Sequence, residues 1–68
     1  MTPDELFVLI ESTHWTHRHV ASVLGYEPNT LRCFVTGKRQ IPDALTKKRV
    51  KELIEAEMLR IYDEFMRV

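Results

Sequence analysis

Cysteine occurs once in the 68 residues, at Cys33. No disulfide can form within the chain, and a reducing, cytoplasmic setting is the expected one. Glycine occurs twice and proline three times, too few for a flexible linker or a low-complexity segment. No apolar run approaches the roughly 20 residues that span a bilayer, so no membrane partner is expected. The opening "MTPDELF" lacks the basic start of a signal peptide. Alternating β-branched runs bounded by hairpin turns are missing, which leaves strands without a signal. A nucleophile paired with a base and a glycine-rich phosphate loop are missing as well. An enzyme is therefore not expected, nor a cofactor or a small-molecule ligand.

Net charge is also lacking, but its distribution is uneven. Residues 1–27 carry Asp4, Glu5, Glu11 and Glu27 against Arg18, a net −3. Residues 28–51 carry Arg32, Lys38, Arg39, Lys47, Lys48, Arg49 and Lys51 against Asp43, a net +6. Residues 52–68 return to −3. A basic middle between acidic ends suggests a polyanion-facing surface, or else a solvated charged face.

The apolar fraction of 44% is enough for a core. Chains of this size bury only about 60% of their unfolded surface, which disfavours a deep cleft. One domain over residues 1–68 is expected. The pattern is helical throughout. Thr2 with Glu5 reads as a capping box ahead of Pro3, and Leu6, Leu9 and Ile10 form an apolar stripe ending near Ser12 or Thr13. Thr16 caps a second helix that buries Val20, Ala21 and Leu24, with Trp15 and Val20 at staple positions and Gly25 at its end. Pro28 opens a third helix with Leu31, Phe34 and Val35 inward, and Gly37 closes it. A fourth starts at Pro42 or Asp43 and continues without glycine or proline for roughly 25 residues, about 37 Å.

The short connection around "GYEP" forces the second and third helices to cross steeply, and small Ala21 suits the contact. With Val20, Leu24, Gly25, Leu31 and Phe34, then Gly37, Lys38, Arg39, Ile41 and Pro42, the stretch "THRHVASVLGYEPNTLRCFVTGKRQIP" resembles the helix-turn-helix of the phage repressor and Cro-like (Xre-type) family. The resemblance covers Leu6 to about Leu53. It implies an all-α, four- to five-helix, lambda-repressor-like domain with a long C-terminal helix. Three positions depart from the family pattern: His17 replaces a glutamine, Glu27 a small polar cap, and Val35 a polar residue.

In such proteins the third helix enters the major groove, where base edges differ. The resemblance thus assigns base contacts to Pro28, Asn29, Arg32 and Cys33, and phosphate contacts to His17, Arg18, Thr36, Lys38 and Arg39. Asn29 matches adenine and Arg32 guanine in donor–acceptor spacing. The plainer alternatives are a phosphate contact for Arg32 and a first-turn polar residue for Asn29. Lys38 and Arg39 read alternatively as a solvated loop, and Cys33 as a redox-sensitive thiol or a small filler. Trp15, Tyr26 and Phe34 read as core.

All three histidines lie in "HWTHRH". His17 and His19 stand two apart on a helix and face different ways, so no metal site is expected. His17 is expected to donate to phosphate, more strongly in mild acid, with His14 and His19 on the surface. In the tail, Ile54, Met58, Ile61, Phe65 and Val68 are spaced 4, 3, 4, 3, a coiled-coil-like stripe that makes residues 54–68 the expected dimer interface. A helix that breaks and folds back is the alternative. The expected partners are double-stranded DNA and a second copy, with half-sites near 10 base pairs apart. The expected function is a dimeric repressor; the alternative is a protein-interaction or antitoxin-like module that uses the C-terminal helix.

Overall fold

The computed structural model describes residues 1–67. Four helices follow one another: α1 Pro3–Thr13, α2 His17–Leu24, α3 Pro28–Thr36 and α4 Lys47–Met66. No strand occurs among the described residues. α1 contacts α3 and α4, and α2 contacts α3 and α4, so the two outer pairs enclose a single core.

Local chemistry sets each boundary. The Thr2 hydroxyl accepts from the Glu5 N–H at 3.2 Å, and the Glu5 carboxylate accepts from the Thr2 N–H at 3.2 Å, completing the capping box of α1. Thr13 is buried; its hydroxyl donates to the Ile10 carbonyl and accepts from the Trp15 N–H, stitching the α1–α2 corner. The Thr16 hydroxyl caps α2 through the His19 N–H. Gly25, at φ 84°, ends α2 in a Schellman motif: its own N–H bonds to Ser22 O, and the Tyr26 N–H to Ala21 O at 2.8 Å. Only three residues then separate α2 from α3.

The core holds Leu6, Ile10, Val20, Ala21, Leu24, Leu31, Phe34 and Val50, with Leu9, Trp15, Tyr26, Val35 and Leu53 packed against it. Tyr26 meets the Phe34 ring edge-on at 5.2 Å. Ile41 and Leu45 also belong to it. Leu45 explains a difference from expectation. The fourth helix starts at Lys47, not at Pro42 or Asp43, and runs 20 residues. The Leu45 N–H bonds to Pro42 O in a turn that tucks Leu45 into the core. Thr46 then caps the helix through the Arg49 N–H at 3.1 Å. From there α4 is unbroken to Met66, so it does not fold back. Its length sets the long axis of a molecule measuring 43 × 21 × 18 Å.

Candidate nucleic-acid interface

α3 is buried along Leu31 and Phe34, which turns Pro28, Asn29 and Arg32 outward, all exposed. Its first turn carries no side-chain cap, because Glu27 makes no capping bond. The N–H groups of Asn29 and Thr30 therefore present the positive end of the helix at the surface. Cys33 is half-buried rather than on the outward face. It reads better as a filler at the helix edge than as a base contact. Its carbonyl accepts the Arg39 N–H at 3.1 Å, which ties the exposed Lys38–Arg39 loop to the carboxyl end of α3.

Two expected phosphate contacts change character. The Thr36 hydroxyl donates to the Arg32 carbonyl at 2.9 Å. A phosphate offers only acceptors, so this hydroxyl has no donor left for one. His17 is half-buried, with Nε2 3.9 Å from the Glu11 carboxylate of α1, which competes for any positive charge on the ring. Arg18 remains exposed on α2.

His19 is not a free surface side chain. Its Nε2 lies 2.8 Å from Glu57 Oε2 on α4, and its ring is tilted against Trp15 at 4.7 Å. Glu57 also accepts from Arg60 at 2.6 and 3.2 Å, and Arg60 reaches Glu64 at 2.8 Å. The Arg60 hydrogen bond, then the one to His19, holds the Glu57 carboxyl below its ordinary value despite partial desolvation. His14 is exposed and closes α1 in the left-handed region, at φ 61°. The three imidazoles thus serve separate local roles and do not converge.

The acidic C-terminal stretch is largely engaged, with Glu52 paired to Arg49, Glu57 and Glu64 to Arg60, and Asp63 to Arg67, and at the N-terminal end Glu5 pairs with Lys47. Arg18, Arg32, Lys38 and Arg39 make no ion pair with a described residue. Two polar residues that the motif did not single out lie close by, one of them the Glu5-paired Lys47. Gln40 and Lys47 line a depression of about 380 Å³ with Gly37 and Arg39, where the start of α4 meets the loop after α3. The excess of positive charge over residues 28–51 was their sequence signal.

The expected dimer stripe is partly reassigned. Ile54 is 7% exposed and belongs to the core, because α1 and α2 still flank α4 at that level. Val68 lies outside the described residues. Ile61 is half-buried, while Met58 and Phe65 are 43% and 79% exposed. Leu59, Tyr62 and Met66, which a strict 4–3 spacing omits, are 69%, 64% and 59% exposed. At 100° per residue these side chains fill a band about 160° wide, opposite Arg60, Glu64 and Arg67. No helix among the described residues is long and apolar enough to cross a membrane. No family model, curated protein or solved structure matches the chain.

Proposed function

We propose that the protein is a sequence-reading DNA-binding regulator of the phage repressor and Cro-like kind, which lays α3 in the major groove and represses by occupying a promoter as a dimer. One observation carries the reading. The outward row of α3, Pro28, Asn29 and Arg32, is exposed, and Arg18, Arg32, Lys38 and Arg39 make no ion pair with a described residue. Such a surface suits a ligand with regularly spaced negative charge and readable edges. Arg32 is the guanine reader and Asn29 the adenine reader. Arg18, Lys38 and Arg39 grip the backbone on either side.

Selection from random duplex DNA, followed by binding at increasing salt, tests this. A palindromic consensus is expected, with affinity falling steeply as salt rises. Arg32→Ala and Asn29→Ala each weaken the consensus by about 1–3 kcal/mol and relax one position of it. Duplex binding that ignores both substitutions removes the reader role of α3. A second reading, a protein-interaction module of antitoxin-like type, draws on the exposed apolar band of α4. Its mark is no duplex binding even at low salt.

A further inference from the structure

We propose that the exposed side of α4 docks a second copy of this chain with the two α4 helices antiparallel, crossing near Leu59 and Arg60. The proposal rests on the dimer of the preceding reading for its partner, but not on DNA binding.

The surface is longer than the overhanging tip. Met58 closes one end of a groove between α1 and α4 whose floor holds Leu9 and Ile54. Val8, 64% exposed, lies beside Leu9 at the neighbouring depression along the same two helices. At 100° per residue, Lys51, Glu55, Met58, Tyr62 and Phe65 share one narrow sector, so groove and overhang face the same way. A two-fold contact requires that, since the same patch must serve both copies. The exposed parts of Val8, Met58, Leu59, Tyr62, Phe65 and Met66 come to on the order of 700 Å² per copy, close to the ~800 Å² of a standard interface. The overhang alone falls short.

Register decides the direction. With the crossing near Leu59 and Arg60, the overhanging Phe65 of one copy, 79% exposed, stands level with Ile54 of the other, at the groove whose floor holds Leu9 and Ile54. A parallel pair sets groove against groove and overhang against overhang, and leaves both grooves without an occupant. The antiparallel arrangement also holds the two exposed Lys48 positions about 35 Å apart at 1.5 Å rise per residue. A parallel pair holds them at roughly the 8–10 Å of packed helix axes.

Pulsed electron–electron spectroscopy on a spin label at Lys48→Cys, in a Cys33→Ser background of the full chain, measures this separation. The expected result is one intermolecular distance near 35 Å. A distance below about 20 Å overturns the antiparallel arrangement. Sedimentation as a monomer at the micromolar concentrations of that experiment overturns the docking surface itself. Phe65→Asp, at a side chain 79% exposed in the monomer and so of little consequence to its folding, should raise the dimer dissociation constant by at least ~100-fold; an unchanged dimer also overturns the proposal. The two readings fail separately. A dimer with the expected distance that ignores duplex DNA sinks the regulator reading alone, and a DNA-binding monomer sinks this interface and the dimer of that reading while leaving the reader role of α3 standing.

Discussion

The two halves of α4 share one apolar rhythm and meet opposite environments. Val50 and Ile54 are sealed between α1 and α2, whereas Phe65 and Met66, on the same helix roughly three to four turns later, stand in water. Periodicity tells which way a side chain points about the helix axis. Whether anything is there to meet it depends on how far the rest of the chain reaches. α1 ends at Thr13 and α2 at Leu24, and both run out along α4 before the rhythm does.

The largest effect comes from cutting each half in turn. Ile54→Ala opens a cavity in the core and should cost about 2–5 kcal/mol of monomer stability. In a domain of this size that lowers the melting temperature by more than about 8 °C. Phe65→Ala removes a side chain that touches little in the monomer, and should change its stability by less than about 0.5 kcal/mol. Thermal melts at low micromolar concentration, paired with sedimentation, separate the two. Equal destabilisation would mean that α4 is one continuous core element and that the overhang is covered within its own chain.

The same contrast shows what the sequence made legible. Caps, glycine stops and the inward residues of α1 to α3 were readable because they are local: Thr2 with Glu5, Thr16, Gly25 and Gly37 each act within four residues. The start of α4 was not, because Pro42 and Asp43 look like a helix opening until Leu45 is known to be needed in the core. His19 was misread for the same reason, since Glu57 lies 38 positions away. The exposure of Asn29, Arg32, Lys38 and Arg39 was legible from their places on and just after α3. The Thr36 hydroxyl bonded to its own helix and the half-buried Cys33 thiol were not, because spacing shows neither.

Against the well-capped α1, α2 and α4, α3 is the weak end of the helical region. Glu27→Ser supplies the missing cap and should stabilise the fold by about 0.5–1 kcal/mol in chemical denaturation. Removing a negative charge beside α3 should also tighten duplex binding under the regulator reading. A stability gain with unchanged or weaker binding would mean that Glu27 does not face the duplex. His14→Gly is expected to contribute a similar or smaller amount, because glycine enters the left-handed region at less cost than histidine. Here α1 alone should gain, with no change in DNA affinity.

The smallest effect lies at the boundary between the two halves of α4, where His19 of α2 meets Glu57. The hydrogen bonds from Arg60 and His19 keep the Glu57 carboxyl below its ordinary 4.5 in the folded chain. A depressed carboxyl stabilises the fold above its unfolded value and loses that contribution as pH falls through the folded one. Glu57→Gln should therefore be less stable than the parent near neutrality, with the gap closing as pH drops below about 4.5. Trp15, the only tryptophan and in contact with His19, reports the change by fluorescence. If the gap persists into acid, the loss comes from packing at this joint and the charge on Glu57 plays no part. If no gap exists at any pH, α4 is held to α2 by its apolar residues alone.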